Sequence, residues 1–249
     1  NVTSVSLPTS LTTIGHEAFR NCTSLDSIYV PKNVCNLKDR WVTECSDLSV
    51  IEIDKANQCY FVDKYGAVYT KDTTTLVVLP QDMIINELII IDGVTSFATD
   101  ALYGHKHLTQ LRLPASMTVV EYGALDNMKS LKTIYFESEK APIFRKEIGG
   151  GTNTSNLAVY IPCVVPEDPN RPGEFGAQMG VSVKNIELYL NTYVVEAVPD
   201  NQRKGSTSVI NETSCEDNTV TIIAKPNAGY NFLRWESNKS SEIITQAEY

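Results

Sequence analysis

Basic residues are in short supply: 21 Lys+Arg stand against 30 Asp+Glu, a net charge of −9 at pH 7. Nucleic acids and anionic membranes are gripped by clustered Lys and Arg, so neither is expected as a main partner. Long hydrophobic runs are also missing. The most apolar window, Met83-Ile-Ile-Asn-Glu-Leu-Ile-Ile-Ile91, has nine residues and carries a Glu, whereas a spanning helix needs about 20. No membrane insertion is expected within the chain, and any anchor would lie outside it. No basic, apolar leader is visible at Asn1, as expected of a mature secreted chain or a trimmed one. Six cysteines in 249 residues are too few for a cysteine-rich scaffold. The 42% hydrophobic and 20% charged shares describe a soluble folded chain of one large domain or two modest ones.

Motifs of catalysis are equally scarce. There is no G-x-S-x-G and no C-x-x-C, and Gly149-Gly150-Gly151 is not followed by Lys-Ser/Thr as a phosphate loop requires. Histidine occurs three times. His105-Lys106-His107 offers two imidazoles, but no third ligand stands at a metal-binding spacing, so the pair is expected in an exposed turn. His16 is expected at the surface. No enzyme activity, cofactor or metal is indicated. Sequons at Asn1, Asn21, Asn153, Asn211 and Asn238 would matter only in a eukaryotic secretory protein.

What the sequence does contain is a repeat of 23 residues. Leu7 maps onto Val30 and Ile53, Ile14 onto Leu37, Cys22 onto Cys45, Leu25 onto Leu48 and Ile28 onto Ile51. Further on, Ile90 maps onto Leu113 and Phe136, Ala101 onto Ala124, and Leu108 onto Leu131. Within each unit Leu25-x-x-Ile28-x-Val30 alternates as a half-buried strand does, and Pro31 or Pro114 ends it. Ile14-Gly15-x-x-Ala18-Phe19-x-x-Cys22 has the spacing of one or two helical turns, with small Ala18 and Ala124 letting the helix approach the strands. A single unit cannot bury its own apolar face, so stacked units are expected. The fold class is a mixed α/β, β-rich solenoid. From Ile53 to Ile90 the frame slips by 14 extra residues, read as a hairpin inserted at about 58–80.

The run Pro8-x-x-Leu-x-x-Ile14-Gly15-x-x-Ala18-Phe19-x-x-Cys22-x-x-Leu25-x-x-Ile28-x-Val30-Pro31 resembles the BspA-like class of leucine-rich repeats of bacterial surface proteins. The resemblance covers about residues 2–138. In the second unit Trp41-Val42 replaces Ala-Phe, so its helix is expected to be distorted. The period fades across 137–187, read as an irregular C-terminal cap in which Leu157-Ala-Val-Tyr-Ile161 forms the last rung. The solenoid with its hairpin and cap is assigned to residues 1–187. Residues 188–249 form a small β-rich module, with strands at Tyr193–Val198 and Thr219–Ala224. Its Gly229-Tyr230-x-Phe232-x-x-Trp235 ending resembles divergent internalin-B-type repeats, and the module's completeness is left open.

Cys22 and Cys45 share an inward repeat position, as core thiols or as a disulfide, since rungs stack about 4.8 Å apart. Spacing names no partner for Cys35, Cys59, Cys163 or Cys215. Alternation turns the remaining strand residues outward, so Tyr29, Glu52, Arg112 and Tyr135 are expected to form one ladder on the open sheet face. The resemblance implies a non-enzymatic extracellular or cell-surface role, binding an extracellular protein of the adhesion type through that face. Carbohydrate binding and a ligand-free spacer are the alternatives. An exposed coplanar aromatic pair would favour sugar, and a broad mixed-charge face would favour protein.

Overall fold

The alternation of Ser-Ile-Tyr-Val at 27–30 makes a rung: Ile28 and Val30 are buried while Ser27 and Tyr29 stay in solvent. The structure, a computed structural model, describes residues 2–163, 168–189, 205–211, 220–231, 235–236 and 243–244. The chain forms two compact units, residues 1–162 with 168–188, and 163–167 with 189–249.

In the first unit, parallel strands repeat in the register anticipated from the 23-residue offset. Ile28 pairs with Ile51, Leu88 with Leu111, and Leu111 with Ile134. Ser27–Val30 and Val50–Ile53 form a two-stranded sheet. Glu87–Ile89, Gln110–Leu113, Thr133–Phe136, Ala158–Pro162 and Ile186–Tyr189 form a five-stranded one. The last rung expected at Leu157–Ile161 is the strand Ala158–Pro162, and one more strand lies beyond it. A second column holds the short strands Ser96–Phe97, Val119–Val120 and Ile143–Phe144.

The segment expected as a short helix is a chain of i→i+3 turns. The Ala18 N–H donates to Gly15 O, Arg20 N–H to Glu17 O and Cys22 N–H to Phe19 O. Glu17 and Asn21 have φ of 54° and 60°, and Arg40/Glu44 and Asp100/Gly104 repeat that left-handed pair. For residues with a Cβ this conformation costs roughly 1–2 kcal/mol. In return it turns the amides of Glu17, Phe19 and Asn21 along the stack, where they donate to Asp39, Trp41 and Thr43 carbonyls of the next rung. A helix would close those bonds on itself and tie no rungs together. Trp41 keeps its place in this ladder and is buried. Ala101 and Ala124 are buried as expected; Ala18, in the first rung, is exposed.

The insertion expected as a hairpin at about 58–80 is a three-stranded antiparallel meander, Tyr60–Val62, Val68–Thr70 and Thr75–Val78. Its third strand pairs parallel with Ser96–Phe97 and so rejoins the solenoid. The meander is a wall between two cores. Val68 and Val78 pack with Ile28, Trp41 and Ile51 on one side. Tyr69, Leu76 and Leu79 pack with Phe97, Leu102 and Leu111 on the other.

Ordinary parallel pairing gives way where the meander enters, and side chains stitch the seam. Buried Asn57 donates through Nδ2 to Pro31 O and Val34 O, and its Oδ1 accepts from the Cys59 and Tyr60 amides. A Cys35–Cys59 disulfide crosses the same seam with its Cα atoms 5.2 Å apart. Cys163 is disulfide-bonded too. Cys22 and Cys45 are not joined: both are free, and the Cys45 thiol donates to Phe19 O at 3.0 Å. Their regular column is already held by backbone bonds, whereas the seam is not.

The cap contains the helix Arg171–Met179, which the sequence pattern did not suggest. Pro172 sits in its first turn, where no N–H is needed, and Gly180 at φ 68° ends it. Phe175 and Met179 cover the last rungs, with Phe175 edge-on to Phe136 at 5.1 Å. Burying each contributes about 2 kcal/mol. Gly176 permits the close return of the chain, since a Cβ there would lie 2.7 Å from Val181 O.

In the second unit Gly205–Asn211 pairs antiparallel with Val220–Pro226, and Trp235–Glu236 with Ile243–Ile244. The strand anticipated at Thr219–Ala224 is thus present with shifted ends. The strand anticipated at Tyr193–Val198, Phe232 of the closing motif, Cys215, Asn1 and Asn238 lie outside the described residues.

Candidate interaction face

The outward side chains of the five-stranded sheet run in two columns. One carries Glu87, Gln110, Thr133 and Ala158 in register, with the Gln110 amide donating to Glu87 at 2.6 Å. The other carries Ile89, Arg112, Tyr135 and Tyr160. The Arg112 guanidinium lies 4.6 Å from the Tyr135 ring centroid. On the neighbouring rung the Tyr160 ring stacks on Tyr135 at 4.7 Å and 13°. Arg112 also approaches Glu137 at 3.9 Å. Burial raises the Glu137 carboxyl above its ordinary range, with Arg112 opposing. The Tyr160 phenol is raised by burial and by neighbouring Glu187 and Tyr135.

The structure divides the expected ladder. Tyr29 and Glu52 are opposite each other on the separate two-stranded sheet. Among the described residues no backbone ladder joins that sheet to the one bearing Arg112 and Tyr135. Tyr29 is exposed, and its hydroxyl donates to Asp54 at 2.7 Å, which raises the phenol and lowers the carboxyl. The 14-residue slip separates the two halves, because the meander displaces the rung between them. Ile89 and Tyr160 escaped the sequence reading. Tyr160 stands 25 residues from Tyr135 rather than 23, although Ala-Val-Tyr-Ile repeats the alternation of Thr-Ile-Tyr-Phe.

The histidine pair is not an exposed turn. His105 is fully buried and His107 half-buried. His105 occupies the inward position that Cys45 holds in an earlier rung, and its Nδ1 accepts from the Leu108 and His107 amides. The proton therefore sits on Nε2, which is buried without a hydrogen-bond partner. His107 Nε2 lies 3.0 Å from Asp82. Among the described residues no group of three His, Cys, Asp or Glu is placed to hold a metal.

Burial first, then His107, depresses the His105 pKa to about 4, with Asp82 opposing. The unfolded imidazole titrates near 6.5, so the unfolded chain takes up the proton first as pH falls. Stability is therefore expected to be full above about pH 6.5 and to decline by roughly 2 kcal/mol toward pH 4. Urea midpoints at pH 7 and 4.5 should differ less in H105N, which can keep an acceptor for the Leu108 amide. An equal shift in both proteins would assign the acid sensitivity elsewhere.

The comparisons with known proteins agree with this architecture. A family model for the BspA-type leucine-rich repeat region matches in six copies over residues 1–65 and 81–155, leaving out part of the meander. A divergent InlB B-repeat model matches residues 193–248. A leucine-rich cell surface protein from Faecalibacterium prausnitzii superposes with a TM-score of 0.52 at 21% identity, over 74% of this chain and 52% of that one. A leucine-rich repeat protein from Eubacterium ventriosum gives 0.49 at 23% identity, over 63% and 47%. The chain thus spans about half the length of these relatives. No curated protein sequence matches it. The matched families are repeat families rather than enzyme families, and they suggest a surface or protein-interaction role. Among the described residues no helix is long and apolar enough to cross a membrane. Repeat register, inward columns and family match converge: the chain belongs to the BspA-type leucine-rich repeat family.

Proposed function

We propose that the protein works by binding, without catalysis, as an extracellular adhesion-type module whose sheet face takes an extracellular protein partner such as a host-matrix or cell-surface component. The contacts are assigned to Tyr29, Glu52, Arg112 and Tyr135, extended by Tyr160 and Ile89. One observation carries this reading. Tyr135 has Arg112 on one face and Tyr160 on the other, so its ring surface is already covered. Sugar platforms need an open ring face, and this column offers ring edges, a guanidinium and an exposed Ile instead. Arg and Tyr are the side chains most favoured at protein hot spots. Polar Glu87, Gln110 and Thr133 run alongside, as a rim does around a binding core.

The test is retention on an array of extracellular-matrix proteins and glycans. Arg112→Ala, Tyr135→Ala and Tyr160→Ala combined should weaken retention of protein spots about thirtyfold, with Tyr29→Ala adding a smaller loss. Melting curves check that the fold is kept. Retention by the combined variant equal to that of the parent, or capture of glycans alone, would remove the face from consideration.

A further inference from the structure

The frame slip has a second effect, on the opposite side of the rungs. In rung one the amides of Glu17, Phe19 and Asn21 donate to the next turn, and in a later rung Asp100, Leu102 and Gly104 donate to Tyr122, Ala124 and Asp126. The equivalent amides between them, those of Arg40, Val42 and Glu44, meet no turn carbonyl among the described residues. The intervening rung runs Val78-Leu79-Pro80-Gln81 in place of a turn, and its Leu79 amide donates forward to Ala101 O. Side chains reach across the gap: Thr43 donates to Asp100 at 3.2 Å, and Arg40 Nε lies 3.1 Å from the same carboxylate. The ridge therefore opens into a cleft of about 240 Å³.

We propose that this cleft binds a single neutral, hydroxyl-rich saccharide ring. Every charge at its walls is already balanced. Arg20 pairs with Glu44 at 3.1 Å, Arg40 with Asp100, and Lys146 with Asp126 at 2.7 Å. An ionic ligand would have to displace one of these partners. A polyol adds hydrogen bonds to the remaining lone pairs and N–H groups without breaking a pair. Both kinds of group line the cleft: Arg40 and Glu44, whose amides meet no turn carbonyl among the described residues, and the carboxylates of Asp100 and Asp126. Tyr103 contributes a half-buried hydroxyl near Glu44, Asp100 and Asp126. Tyr122, 52% exposed, supplies an uncovered ring at the rim, unlike the stacked tyrosines of the sheet face. Gly123 keeps the floor open: a Cβ there would lie 2.2 Å from Asp100 Oδ1. Arg40 and Glu44 line the cleft, and their amides meet no turn carbonyl among the described residues, so a bound hydroxyl oxygen can serve them.

The test is an amide NMR titration of the full chain, separately with methyl glucoside, methyl galactoside, methyl mannoside, N-acetylglucosamine and inorganic phosphate. At least one sugar should shift the Arg40 and Glu44 amides. Tyr103→Phe and Tyr122→Ala, both conservative of the fold, should each weaken that binding about tenfold. The proposal is overturned if none of the four sugars moves those amides, if phosphate moves them instead, or if both variants bind as the parent does. It is independent of the sheet-face reading, whose residues are elsewhere on the rung.

Discussion

Replacing Asn57 with Ala is expected to destabilise the first unit by about 4 kcal/mol. Its side chain meets all four of its hydrogen-bonding demands at a site with no solvent exposure. Truncation takes a partner from the Val34 carbonyl and from the Cys59 and Tyr60 amides, while Pro31 O keeps the Val34 amide; each unsatisfied buried group costs roughly 1–3 kcal/mol, offset where water enters. For a unit of this size the melting temperature should fall by about 10 °C. Asn57→Asp should do no better, because it keeps the acceptors but loses both donors and buries a charge. A fall below about 3 °C for the Ala variant would mean that the seam is held by other means.

Removing the Cys35–Cys59 bond should cost about 3 kcal/mol, the chain-entropy value for a loop of this length. The bonded residues are 24 apart in sequence. Paired Ser substitutions test this more cleanly than a reductant, which would also attack the disulfide at Cys163. Combined with Asn57→Ala the loss should differ from the sum of the two, since both act on one seam. Strict additivity in thermal melts would show that the two devices work independently. An unchanged melting temperature in the Ser pair would show that the crosslink constrains little.

These two effects lie where the sequence was hardest to read. The rungs were legible because inward Leu, Ile and Val recur at one offset, and register follows from which face must be buried. The disulfide was not, because Cys35 and Cys59 are one residue out of that frame. The turns read as helix because apolar spacing of three to four suits both. Nothing in Glu17 or Arg40 announces a left-handed backbone that such residues seldom adopt. The cap helix was hidden by Pro172, Gly173 and Gly176, although Phe175 and Met179 are spaced four apart on one face. His105 falls in the turn before Leu108, which the repeat frame puts in solvent, yet it takes the position of the inward Cys column and is buried.

The candidate face was half legible. Alternation alone assigned Tyr29, Glu52, Arg112 and Tyr135 to the outer side, as the burial of Ile28, Ile51, Leu111 and Ile134 requires. That they fall on two sheets follows from the meander, whose third strand re-enters the stack at the level of a rung. The aromatic stack depends on a rung of irregular length, and no fixed offset reaches it.

The central claim is that a protein partner docks on the five-stranded sheet. Hydrogen exchange of the full chain, alone and with the array protein it retains best, tests this directly. The account predicts that slowed exchange concentrates in Gln110–Leu113, Thr133–Phe136 and Ala158–Pro162 and their adjoining loops. Protection centred on the turns at 15–22, 38–45 and 98–105, with the sheet unchanged, would contradict it.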